Sequence, residues 1–147
     1  MKIVRGSCRI VMMFPGWGFV IKIALIRCFF KGLLENWRER TFYRKTRHQF
    51  LARTYFSLFG LVNLQRWHPP PTPQQYDGFA RLWKGMNIAT AGAVERDRHH
   101  FAGIENYGMD GGRFVMVDYG SREAQAIIKE HGLTILSCTH VIRREAA

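Results

Sequence analysis

Apolar residues along this chain fall in blocks whose spacing changes twice. Residues 10–21 (IVMMFPGWGFVI) carry no charge, and Lys22, Arg27 and Lys31 then punctuate an apolar stretch that reaches Leu34. Residues 35–53 (ENWRERTFYRKTRHQFLAR) interleave Trp37, Phe42, Tyr43 and Phe50 with cations. Residues 54–62 (TYFSLFGLV) are rich in aromatic and aliphatic side chains and read as a strand. The run His68-Pro69-Pro70-Pro71 fits neither strand nor helix interior and predicts a loop.

A helix start follows. Thr72 is a good N-cap, Pro73 fits the first helical position, and Gln75 completes a Thr-x-x-Gln capping box. Tyr76, Phe79, Ala80 and Trp83 recur at helical spacing, Leu82 and Met86 widen that face, and Gly85 marks its end. Residues 87–96 (NIATAGAVER) are small and apolar and read as a second strand; residues 97–112 are polar and glycine-rich and read as a loop. Arg113–Tyr119 (RFVMVDY) has β-branched and aromatic residues bounded by glycines and reads as a third strand. Ser121 caps a second helix with Ala124, Ile127, Ile128 and His131 on one face and Gly132 at its C-cap. Thr134–Arg143 (TILSCTHVIR) reads as a last strand.

The expected order is strand, helix, strand, strand, helix, strand. That is an α+β, ferredoxin-like βαββαβ sandwich over 54–147, with a four-stranded antiparallel sheet, two helices on one face and the other face open. Residues 1–53 then form a basic, apolar N-terminal extension.

Charge sharpens this division. Residues 1–53 hold 12 Lys+Arg against Glu35 and Glu39, a net of +10, whereas residues 54–147 carry a net of +1. A polyanion would meet the first third, through Arg38, Arg40, Arg44, Lys45 and Arg47, as basic residues mixed with aromatics suit an anionic membrane surface or a nucleic-acid backbone. A solvated helical linker is the plainer alternative. The apolar stretch before it has the length of a membrane span but holds three cations and Pro15, Gly16 and Gly18. It reads as a membrane-associated segment, as an extension packed on the domain or a partner, or as the product of a start codon set too far upstream. Cys8, Cys28 and Cys138 have no CxxC spacing, so a zinc site or disulfide framework is not expected.

The segment GRFVMVDY (Gly112–Tyr119), the following YGSREAQAIIKEHG and the helix opening TPQQYDGFARLW together resemble the RNA-recognition-motif (RRM) family. RRM domains stack bases on aromatic rings of the open sheet face. Strand alternation puts Val115, Val117 and Tyr119 beneath the helices and Phe114, Met116 and Asp118 outward. On the first strand the outward positions are Ser57 and Phe59, with Gly60 at the stacking position in an alternative register. Most of the aromatic platform is therefore missing.

The FSLFG segment (Phe56–Gly60) and Phe114–Ile127 look like the nucleoporin-type RRM, or MPPN domain, of small inner-ring nucleoporins. That resemblance implies a homodimer through the sheet face, other nucleoporins as protein partners, a role in pore assembly and nucleocytoplasmic transport, and a nuclear-envelope location. Ser57, Phe59, Phe114, Met116 and Asp118 would form the interface. The alternative is a single-stranded RNA binder using Phe114 and the basic extension. No nucleophile–base pair or convincingly spaced carboxylates point to an enzyme, and no cofactor or metal is expected.

Overall fold

The computed structural model describes residues 1–145, with side chains through Thr139. Its class is α+β, as expected, but the sheet is built elsewhere in the chain and has five strands. β1 (Lys2–Arg5), β2 (Arg9–Phe14), β3 (Phe19–Ala24), β4 (Thr54–Leu58) and β5 (Val62–Arg66) form one antiparallel sheet in the order β1-β2-β3-β5-β4. The first 53 residues are therefore no extension. They supply three strands and the helix α1 (Phe29–Thr46) that packs on β3, β4 and β5. The charge-free run 10–21 is β2, a tight turn at Pro15–Gly18 and the start of β3, and no helix among the described residues is long and apolar enough to cross a membrane.

Residues 54–62 do not make one strand. Phe59 (φ 48°) and Gly60 (φ 77°) are consecutive left-handed residues, and Leu61 N donates to Leu58 O at 2.8 Å. They are the central residues of a tight turn, Leu58–Leu61, in the hairpin between β4 and β5, a geometry in which glycine carries no Cβ penalty.

The rest of the chain is mostly helical. The Thr72–Gln75 capping box is present and opens a short 3₁₀ turn that runs into α2 (Tyr76–Ala89). Phe79, Leu82 and Met86 are its buried residues, so the face is turned away from Tyr76 and Ala80, and the helix continues past Gly85. The expected strand at 87–96 is instead the end of α2 and a 3₁₀ turn at Ala93–Asp97, followed by the short α3 (Arg98–Phe101). The expected loop at 97–112 contains β6 (Tyr107–Asp110), which pairs with β7 (Arg113–Met116) in a separate two-stranded sheet. α4 (Arg122–Glu145) opens on Ser121, whose Oγ accepts from Ala124 N at 3.3 Å, and absorbs the expected strand at 134–143. It passes through Gly132 because the buried face of Ala124, Ile127 and Ile128 recurs at Ile135 and Thr139, and helical burial overrides the β propensity of Thr134, Ile135 and Thr139.

The order in 54–145 is thus strand, strand, helix, short helix, hairpin, helix, and not βαββαβ. The apolar core lies between α2, α4 and the β6–β7 hairpin, with Leu82, Met86, Phe101, Met116, Ile127 and Ile135 fully enclosed. Phe50 and Leu51, from the connector between α1 and β4, are part of it. That connector is pinned there by Met116 N donating to Phe50 O (2.8 Å) and Ala52 N donating to Met116 O (2.9 Å).

Candidate functional site

Strand β3 alternates so that Val20, Lys22 and Ala24 face inward. A lysine on an inward strand position must find a partner, because an unpaired buried charge is strongly disfavoured. The partner is on α1, whose buried residues are Gly32, Asn36 and Glu39, a mostly polar face at helical spacing. Lys22 Nζ donates to both carboxylate oxygens of Glu39, at 3.0 and 2.9 Å, and to the Val117 carbonyl at 2.7 Å. Glu39 is fully enclosed and also accepts from Arg9 Nη1 at 2.7 Å and from Asn63 Nδ2 at 3.1 Å. Its lone pairs are therefore met, the condition under which a buried ion pair is tolerable.

Arg9, at the start of β2, is the second cation. Its Nη2 donates to Asp118 Oδ1 at 2.8 Å, and its Nε lies 3.4 Å from Glu35. Burial alone would lower the Arg9 pKa, but Glu39 and Asp118 outweigh it and raise it. Burial would likewise raise the Asp118 pKa, yet Arg9 and Lys22 hold it well below the usual carboxylate range.

Asp118 follows β7 in the sequence Asp118-Tyr119-Gly120. Tyr119 anchors it: the hydroxyl donates to Ala52 O at 2.7 Å and shares a 2.7 Å hydrogen bond with the Thr54 hydroxyl. Gly120 lies against α1, where a Cβ would come within 3.1 Å of Glu35 Cβ and 3.2 Å of its carbonyl oxygen. A tyrosine in the core and a glycine against the helix thus aim the carboxylate between them. Asn106, just before β6, completes this side; its Nδ2 donates to the carbonyls of His99 (2.9 Å) and His100 (3.2 Å).

Of these groups, Arg9, Lys22, Asn106 and Asp118 line a cleft of about 330 Å³. Val4, Val11 and Val20 come from the five-stranded sheet, Tyr107 and Val117 from the other half, and the chain segment Gln65–His68 lies along it. Gln65 is nearly fully buried there, and its Nε2 has no hydrogen-bond acceptor. The arrangement offers apolar walls for a flat ring and, at Lys22 and Arg9, two buried cations for an anion.

The five residues expected on one open sheet face do not share a surface. Ser57 is on β4 and Phe59 is exposed at the following turn, whereas Phe114 and Met116 are buried in the apolar core. Strand alternation fails there because β7 is covered on both sides, so Phe114, Val115 and Met116 are all enclosed. Asp118 alone of the five reaches the cleft. Of the five basic residues expected to meet a polyanion, Arg38, Arg40, Arg44 and Lys45 lie on α1 and Arg47 just past its end; Arg40, Arg44 and Lys45 line one pocket with Ser57. Arg40 Nη1 donates to Thr54 O at 2.9 Å, Arg38 is partly buried, and Arg44, Lys45 and Arg47 are exposed at the helix end.

Lys22, Glu39, Arg9 and Asn106 were not expected as site residues. A signal for the first two exists: Lys22 is the lone charge in the apolar run 10–26, and Glu35 and Glu39 are the only acids of the first 53 residues, one helical turn apart. Set against protein-family models, curated proteins and solved structures, the chain matches none.

Proposed function

We propose that this chain is a nucleotide-binding module on the plan of a protein kinase, holding a nucleoside triphosphate in the cleft. The observation that carries the reading is the buried Lys22–Glu39 pair, joined through Arg9 to Asp118 beside the cleft that Arg9, Lys22 and Asp118 line. In protein kinases a lysine of strand three pairs with a glutamate of the following helix and reaches the α- and β-phosphates. The aspartate of an Asp-Phe-Gly segment and the asparagine that ends an eight-residue His…Asn loop complete that site. Here Lys22 is on β3 and Glu39 on the next helix, Asp118-Tyr119-Gly120 follows β7, and His99 to Asn106 has the same eight-residue spacing. The likeness is one of parts and their order, an argument by analogy that gains weight because Lys22, Asn106 and Asp118 line one cleft.

Two departures favour binding over phosphoryl transfer. The third position of the loop, where a kinase carries the aspartate that accepts the substrate's proton, is Phe101, and its ring is fully buried in the apolar core. The turn between β1 and β2 offers Gly6 alone, where kinases have a glycine-rich loop over the phosphates. The reading is therefore non-enzymatic. The exposed basic end of α1 takes no part in it.

Calorimetric titration of the full chain with ATP tests the proposal. Saturable binding at one site is expected, weakened about tenfold or more in Lys22→Met, since charge-assisted contacts to phosphate are the strong ones. Circular dichroism checks that the variant is folded. No heat of binding and no thermal shift at millimolar ATP would refute the reading.

A further inference from the structure

The basic end of α1, which the nucleotide reading leaves aside, lies beside the outer strand of the sheet. β4 is last in the order β1-β2-β3-β5-β4, so one of its sides has no strand partner. β1, at the opposite edge, carries Lys2 and Arg5, charges of the kind that discourage pairing with another chain. β4 (TYFSL) has no charged residue. Past the irregularity between Thr54 and Phe56 its register is regular: Leu58 pairs with Val62, and its carbonyl accepts from Leu61 N at 2.8 Å, so its polar backbone groups face the β5 side. Those groups alternate along a strand, and the N–H and C=O of Ser57 therefore point outward.

Ser57 and Phe56 line a pocket of about 520 Å³ with Trp37, Arg40, Arg44 and Lys45 of α1, and no carboxylate among the described residues lines it. Trp37 and Phe56 are about half exposed, Arg44 and Lys45 are exposed, and the buried Ser57 hydroxyl has no hydrogen-bond partner. We infer that this edge takes an extended acidic segment of another protein as a sixth strand. Its backbone pairs with Ser57, its carboxylates meet Arg44 and Lys45, and an apolar side chain lies on Trp37. In such strand addition the main chain supplies affinity and the side-chain pockets supply specificity. The sign of the pocket sets the sign of the guest. A second copy of this chain would bring an uncharged β4 and the same cations. A nucleic acid has no peptide backbone to continue a sheet, and a lipid surface is flat where this site is recessed. The inference does not rest on the nucleotide reading, and either can fail alone.

The test titrates the full chain into a dye-labelled peptide of four Glu-Val repeats, followed by fluorescence anisotropy, beside a peptide of four Glu-Pro repeats with the same charge. Proline has no N–H to give to a ladder. Saturable binding of the Glu-Val peptide is expected, with the Glu-Pro peptide weaker by about tenfold or more. Equal affinity for the two would reduce the site to charge attraction and overturn strand addition. No binding of the Glu-Val peptide would overturn it outright.

Two variants place the binding. Ser57→Pro removes the outward N–H and spares the ladder to β5, a place where edge strands accept proline. It should cost about tenfold or more in Glu-Val affinity while circular dichroism stays that of the folded chain. Lys45→Glu, at an exposed position, keeps the test open if the proline unfolds the chain, and should weaken the same peptide by about tenfold or more. Full affinity in a folded Ser57→Pro or in Lys45→Glu would sink the inference. So would a dimer in sedimentation that Ser57→Pro makes monomeric, since a second copy would then hold the edge. Single-stranded RNA or anionic vesicles that bind the full chain and lose it in Lys45→Glu, with the peptide unbound, would give the pocket to a different polyanion and end the proposal.

Discussion

The two halves of this chain bury different chemistry. Between residues 2 and 66 the enclosed side chains include Lys22, Asn36, Glu39, Asn63 and Gln65, and the sheet and its helix meet through ions and amides. From residue 70 onward the fully enclosed side chains are mainly Leu82, Met86, Phe101, Met116, Ile127 and Ile135. The second half is an ordinary hydrophobic core, whose burial stabilises it at about 25 cal/mol per Å² of apolar surface. The first half gains much less that way and carries the desolvation of charges besides. A cheaper interior was available to it, so the ionic interior points to a function at the place where the charges emerge. That place is the cleft.

Breaking one residue in each half separates the two kinds of interior. Glu39→Ala leaves Arg9 and Lys22 buried near each other without the carboxylate that joins them, and should cost about 3–5 kcal/mol in urea denaturation. It should abolish ATP binding along with that stability. Leu82→Ala, fully buried in the apolar core, should cost about 2–5 kcal/mol through lost transfer energy and the cavity left behind. ATP affinity measured below its lowered midpoint should change little. If the two variants lost affinity equally, the division of labour between the halves would be wrong.

A smaller effect sharpens the same contrast by pH. Asp118 has a folded pKa below its unfolded one, so the folded chain binds fewer protons there. Its contribution is complete above the ordinary carboxylate value of about 3.9 and is lost as the pH falls through the depressed folded value. The melting temperature should therefore fall in strong acid, and Asp118→Asn should flatten that limb. His48 and His68, whose pKa values burial lowers, add a weaker loss as pH drops through about 6.5, since the unfolded chain takes up their protons more readily.

What could be read from the sequence divides along the same line. The Thr72–Gln75 capping box and the Ser121 cap are local devices whose signals lie within four residues, and both helices begin where those signals predict. The far end of α4 was not legible. Thr134, Ile135 and Thr139 favour strands as isolated residues, and only the continuation of the buried face of Ala124 and Ile128 at Ile135 and Thr139 makes the segment helical. α1 gave no apolar stripe to find, because its inward face is Gly32, Asn36 and Glu39; a helix that buries polar groups looks like one that buries nothing. The site suffered most. Lys22 looked like an interruption in an apolar run, and Glu39 looked like a minor offset to a basic segment, until the sheet brought them within 2.9 Å. Asp118 was a candidate from the outset, but for a face that does not exist.

The connector holding Phe50 and Leu51 has a consequence for access. The chain passes between the halves at two separate places, here and at His68–Pro71, where three consecutive prolines make a stiff spacer. Two such ties, with Lys22 bonded to the Val117 carbonyl between them, oppose any clamshell movement. The lightest part of the frame is the rim: β1 is exposed along its whole length and pairs with β2 alone. A guest would enter past that outermost ribbon, and the width of the doorway would be set there and not at the back wall.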